Sequence, residues 1–155
     1  MFSGVALALT EMPLPVMQRY GLARRLHDRG GELEVQFLYR DRERVLPVWI
    51  DGQLTVIPWG NRRGESRLLP CTGWTWQSTV AAGYWAELGA TPVHIPATMG
   101  LDKGVWYRVR QGVHGLAVRD EEGQLRVYVI CEPASHYYRI MTRSDWMPVL
   151  LEERI

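Results

Sequence analysis

Between residues 104 and 131 the chain alternates apolar and polar positions with a period of two. Val105, Tyr107 and Val109 are interleaved with Trp106, Arg108 and Arg110. A second run, Val113 to Val118, follows Gln111-Gly112, and a third, Gln124 to Cys131, follows the turn Asp120-Glu121-Glu122-Gly123. Such alternation, rich in β-branched and aromatic residues and punctuated by acidic-Gly turns, predicts three adjacent strands that cover a core. The same pattern assigns an extended segment to residues 2–10 and a partly exposed strand to 33–39. It also predicts a hairpin of 45–50 and 53–60, in which Asp51-Gly52 supplies the two positions a tight turn needs at φ > 0. Pro47 cannot donate to a ladder, which places it near an edge or a bulge.

Helical spacing occurs twice. Val16, Met17, Tyr20, Leu22, Ala23 and Leu26 predict an amphipathic helix over 16–26, stopped by Gly30-Gly31. A shorter helix is expected from Trp76 to Gly89, weakened by Gly83. The segment after the third strand is polar and aromatic, Glu132 to Tyr138, and runs into Arg143, Ser144, Asp145 and Trp146; groups so placed behind buried strands can line a cleft. Helix near the start and strands elsewhere describe one mixed α+β domain over 1–155.

Composition narrows this picture. A chain of 155 residues, 46% hydrophobic and 23% charged, can bury an ordinary core and is not a disordered sequence. A net charge of +1 gives no whole-protein attraction to a polyanion but leaves room for a local basic groove. Of the 18 basic residues only Lys103 is a lysine, so a phosphate-binding surface here would work through guanidinium groups; a solvated arginine-rich face is the plainer reading. Cys71 and Cys131 define neither a disulfide framework nor a zinc site and are expected to be reduced. The apolar opening, Phe2 to Leu9, has no basic flank and is too short to span a bilayer, so a cytoplasmic protein with no membrane association is expected.

Candidate chemistry falls in three places. Trp59, Trp74 and Trp76 flank an arginine-rich loop containing Asn61, Arg62, Arg63 and Arg67. Such a set can stack unpaired bases and hold phosphates, although large core side chains explain the tryptophans as well. Arg108, Arg110, Tyr138 and Arg143 extend the same potential surface. His136, Asp102 and Cys71 are the weak catalytic candidates: an acid-base imidazole, a carboxylate at the head of the strand run, and a loop thiol near Arg67. No HExxH, serine elbow or phosphate loop is present, and neither a metal nor another cofactor is expected.

Four short motifs, in order, carry a family resemblance: Ile57-Pro58-Trp59-Gly60, Ile95-Pro96-Ala97, Val129 to Ala134, and Asp145-Trp146-Met147-Pro148-Val149-Leu150. The chain resembles, remotely, the SOS-response-associated peptidase (SRAP) family, whose members sense abasic sites in single-stranded DNA. The resemblance implies a strongly curved, largely antiparallel sheet or partial barrel flanked by short helices, with an arginine- and aromatic-lined DNA groove. It also places Phe2 at the family's cysteine nucleophile, Trp74 at its asparagine, Ser78 at the glutamate of the same motif, Asp102 nearest its catalytic glutamate, Ser144 at its histidine and Trp146 at its arginine. A phenyl group is no nucleophile, so the family's covalent abasic-site chemistry is not expected here.

Three functions follow as expectations. The first is a non-enzymatic binder of single-stranded or damaged DNA, descended from this family and of phage-related origin. The second is a noncanonical hydrolase or abasic-DNA processing enzyme acting through His136, Asp102 and Cys71. The third is a structural or protein-interaction module with an exposed aromatic patch.

Overall fold

The computed structural model describes residues 1–62 and 64–151. Twelve strands are described: β1 Phe2–Ala8, β2 Leu26–Arg29, β3 Glu32–Leu38, β4 Val45–Ile50, β5 Gln53–Pro58, β6 Trp74–Trp76, β7 Thr91–Pro96, β8 Met99–Asp102, β9 Val105–Arg108, β10 Gly112–Arg119, β11 Leu125–Pro133 and β12 Trp146–Pro148. Four short helices accompany them: α1 Leu14–Arg19, α2 Gln77–Ala81, α3 Tyr84–Glu87 and α4 His136–Thr142. The mixed α+β class is as expected, but the curved sheet or partial barrel is not formed. The strands make two open sheets, ordered β2-β3-β1-β8-β9 and β12-β11-β10-β7-β4-β5, with β6 pairing parallel to β11. Neither order returns to its first strand, so no sheet closes on itself.

The division between sheets corrects the expected three-strand run. Strand β9 pairs with β8 in the first sheet, whereas β10 and β11 pair in the second. Alternation signals that a segment is extended and half-buried; it carries no information about which neighbour the segment joins. The change of sheet falls at Gly112, where φ is +147° and a Cβ would stand 2.0 Å from the Ile95 carbonyl oxygen. Only glycine permits that approach.

Both faces of the second sheet are covered. Val113, Ala117, Val127, Val129 and Cys131 join Phe2, Val5, Leu7, Val35 and Phe37 of the first sheet in one apolar core. Their sequence neighbours Leu116, Val118, Tyr128 and Ile130 point the other way, against Leu69 and Trp85. The apolar run in β11 is therefore nearly continuous because this strand is buried on both sides.

The predicted helix over 16–26 is cut short. Gly21 adopts φ +60°, a left-handed conformation that ends α1, and a single 3₁₀ turn at Leu22–Arg25 follows. Leu26–Arg29 then becomes a strand paired with β3, so Gly30-Gly31 is a hairpin turn and not a helix stop. The helix expected from Trp76 is likewise split at Gly83 into α2 and α3. The hairpin of β4 and β5 forms around Asp51-Gly52, both at positive φ. Pro47 sits on an inner strand, not an edge, but the pairing of β4 with β7 is confined to Trp49 opposite His94, so Pro47 lies outside that ladder. Among the described residues no helix is long and apolar enough to cross a membrane.

Candidate functional site

Asp102, at the end of β8, has no solvent exposure, yet it carries a carboxylate. Burial of that charge requires partners on every oxygen. Oδ2 accepts a hydrogen bond from Tyr138 Oη at 2.7 Å, and Oδ1 accepts one from Ser144 Oγ at 2.6 Å. The Met1 amine lies 3.1 Å from Oδ1 and 3.4 Å from Ser144 Oγ. Because Tyr138 gives its proton to Asp102, its oxygen is free to accept from Tyr107 Oη, 3.0 Å away. Burial first, then the neighbouring Tyr107 and Asp102, push the Tyr138 phenol well above the ordinary tyrosine range. This phenol stays protonated and acts as a donor.

Local sequence explains how these groups meet. The turn Lys103-Gly104, with both residues at positive φ, reverses the chain between β8 and β9 and leaves Asp102 opposite Phe2 on β1. Ser135 caps α4 by accepting from the Tyr138 N–H at 3.1 Å, which fixes the first turn and aims Tyr138 inward. Arg143 in the left-handed conformation ends α4 and brings Ser144 back toward Asp102, and Lys103 Nζ donates to the Arg143 carbonyl at 2.8 Å. Two otherwise separate turns are thereby tied together.

An aromatic wall adjoins this cluster. Trp74 Nε1 donates to the Phe2 carbonyl at 2.8 Å, and the Trp74 ring lies 4.4 Å from that of Tyr39 at an interplanar angle of 34°. The Arg44 guanidinium covers the other part of the column, 3.6 Å from the Tyr39 ring centroid. On the second sheet Trp76 and Trp146 are stacked at 4.1 Å, and Trp146 lines a cavity of about 350 Å³ together with Gln77, Ser78, Cys131 and Pro133. Burial, and then the charge of Asp102, push the Cys131 thiol up to about 12, so it is not a ready nucleophile.

A cavity of about 410 Å³ lies elsewhere, beside Arg24, Arg25, Asp41 and Glu43. Four of its charged groups are spent on one another: Arg25 pairs with Asp41 at 2.8 Å, and Arg24 pairs with Glu43. A smaller one of about 290 Å³ is lined by Arg42, Arg44, Arg62 and Arg126 together with Glu65 and Trp59.

The residues singled out from sequence separate into distinct groups. Trp59 is 1% exposed and Tyr138 fully buried; each is hydrogen-bonded inside the protein, Trp59 Nε1 to the Gly73 carbonyl at 2.9 Å, and neither offers a ring face to a base. Asn61 is buried too, and its side chain ties its own loop together by donating to Ser66 and Leu69 carbonyls and accepting from the Ser66 N–H. Trp74 and Trp76 remain half-buried with accessible surface. Arg62 reaches the Asp41 carbonyl, Arg67, Arg108, Arg110 and Arg143 are exposed, and Arg63 lies outside the described residues.

His136, Asp102 and Cys71 are not assembled as a catalytic set. His136 is exposed at the start of α4, Asp102 is buried on β8, and Cys71 is an exposed loop thiol approached by Asn61 Nδ2 at 3.8 Å. None of the hydrogen bonds or ion pairs among the described residues joins any two of them. Sequence reasoning missed Tyr39, Arg44 and Tyr107. Arg44 stands in the alternating run Arg40-Asp41-Arg42-Glu43-Arg44, which carries every mark of a solvated turn, and only the fold shows it turned onto an aromatic ring.

Comparison with protein-family models, with curated proteins and with solved structures gives no match to this chain.

Proposed function

We propose that this chain is a diverged relative of the SOS-response-associated peptidase family that binds single-stranded or damaged DNA without forming a covalent bond to it. One observation carries the reading. Phe2, Trp74, Asp102 and Ser144, the positions that short motifs set against the family's nucleophile, asparagine, glutamate and histidine, adjoin one another. Trp74 bonds to Phe2 across 72 positions of sequence, Ser144 bonds to Asp102 across 42, and Phe2 stands opposite Asp102 between paired strands. Their proximity across such separations in sequence supports the reading.

The groups at those positions are engaged within the protein and present no nucleophile, which fits the noncovalent part of the reading. Phe2 is fully buried and offers no nucleophile, and Asp102 is engaged by two hydroxyl groups as well as the Met1 amine. Around them stand half-buried Trp74, Trp76 and Trp146, with arginines on the adjoining surface, the combination that holds a flexible polynucleotide by stacking and charge.

The test is equilibrium binding to single-stranded, duplex and abasic single-stranded oligonucleotides, with the abasic mixture then resolved on a denaturing gel. Saturable binding that favours the single strands, with no adduct on the gel, is the expected result. Absence of binding to all three would reject the reading, and a denaturation-resistant adduct would reject its noncovalent part.

A further inference from the structure

Arg44 is an incompletely satisfied cation. Its guanidinium carbon lies over Tyr39, 3.6 Å from the ring centroid, a cation–π contact. Its Nε is buried without a hydrogen-bond partner, and the side chain makes no ion pair among the described residues. Burying a charged donor without an acceptor is costly, so the Arg44 charge is poorly compensated within the protein.

The surroundings define what would compensate it. The cavity of about 290 Å³ beside Arg44 is lined by four arginines against two glutamates. Arg126 is neutralised internally by Asp120 at 3.0 Å, and Glu65 stands 3.9 Å from Arg126. Arg62 spends one N–H on the Asp41 carbonyl, a neutral acceptor that leaves its charge uncompensated. Burial pulls the Arg44 guanidinium below its ordinary value, and the neighbouring Arg62 adds to the effect while Tyr39 and Glu65 oppose it. Two guanidinium charges thus face a cavity with too little negative charge.

We propose that Arg44 and Arg62 form a phosphate-binding site, which takes a phosphate either as a diester within a polynucleotide backbone or as a phosphomonoester. An oxyanion in this cavity accepts from the accessible terminal nitrogens of Arg44 and Arg62, charge-assisted and directional bonds that carboxylates and phosphates share but that chloride cannot match. Phosphate is the form favoured here because the Arg44–Tyr39–Trp74 column runs from this cavity to the aromatic wall. Such a column sets a backbone phosphate beside surfaces on which bases stack. The diester source rests on the DNA-binding reading above; the anion site does not.

The test titrates inorganic phosphate, a 5′-hydroxyl oligothymidine and its 5′-phosphorylated form into the wild-type chain, Arg44→Gln and Arg44→Lys, following the arginine Nε–H resonances in ¹H–¹⁵N spectra. Phosphate is expected to shift the Arg44 Nε–H saturably in the wild type. Arg44→Gln is expected to bind the 5′-hydroxyl strand about ten- to a hundredfold more weakly, the loss of a charge-assisted pair, and to flatten its salt slope by about 0.7. Arg44→Lys, which keeps the charge but not the guanidinium, retains the salt slope and still loses affinity. A marked gain from the 5′-phosphate over the 5′-hydroxyl strand assigns the site to a monoester. Strand binding in which neither the Arg44 resonance nor Arg44→Lys responds would overturn the site and leave the DNA reading standing. Arg44-dependent phosphate binding with no binding of either strand would do the reverse.

Discussion

Tyr138 Oη stands 2.7 Å from Asp102 Oδ2, and this bond joins α4 to the strand beside the chain's first residues. Replacing Tyr138 with Phe keeps the ring's packing and deletes the donor. The buried carboxylate then lacks a partner on that oxygen, and the expected loss is about 1–3 kcal/mol of folding stability by denaturant titration. Ser144→Ala should cost a similar amount, and because both hydroxyls serve one carboxylate the double variant should depart from additivity. Additive losses below about 0.5 kcal/mol each would mean that Asp102 is not held as described.

A second prediction concerns acid. Burial alone would raise the Asp120 carboxyl, but hydrogen bonds from Arg126 and from the Gln124 and Glu122 N–H groups outweigh it and hold the group below its ordinary value. A depressed carboxyl contributes stability that is complete above its unfolded value of about 3.9 and is lost as pH falls toward the folded one. Asp120→Asn should therefore be less stable than the wild type at pH 7, with the gap closing below about pH 4. A gap that persists unchanged to pH 2 would contradict this account.

His114 is shifted in the same sense, for a different reason and in a different pH window. Burial, and then the facing His94 ring 5.6 Å away, lower its value in the folded state. The unfolded chain takes up the proton first, so stability is complete above the unfolded value of about 6.5 and falls as pH drops below it. His114→Gln should flatten the pH dependence of the melting temperature in that window; an unaltered slope would count against it.

Thiol reactivity separates the two cysteines. Cys71 is exposed, whereas Cys131 is buried with its thiol pushed up to about 12. In the native protein a thiol reagent at pH 8 should modify one cysteine quickly, and Cys71→Ser should abolish that phase. Two fast phases would show Cys131 to be accessible.

The strand content was largely legible. The β4–β5 hairpin is written in its alternation and in Asp51-Gly52, and β10 and β11 in the runs around Asp120 to Gly123. What periodicity could not convey was partnership. Val105 to Arg108 reads as the sibling of the next strand, but Gly112 sends the chain into another sheet. The same limit hid the site. Asp102 looks like the polar end of a turn because the hydroxyls that permit its burial are 36 and 42 positions away. Trp59 and Tyr138, which composition offers as stacking surfaces, are core residues for which only the fold reveals the hydrogen-bond partners.

The most direct test of the DNA-binding claim is the salt dependence of binding to an unmodified single-stranded oligonucleotide, followed by fluorescence anisotropy. If arginines hold at least three phosphates, log K should fall linearly with log salt at a slope of about −2 or steeper, since each contact on a single strand contributes roughly −0.7. No saturable binding, or an affinity indifferent to salt, would contradict the account.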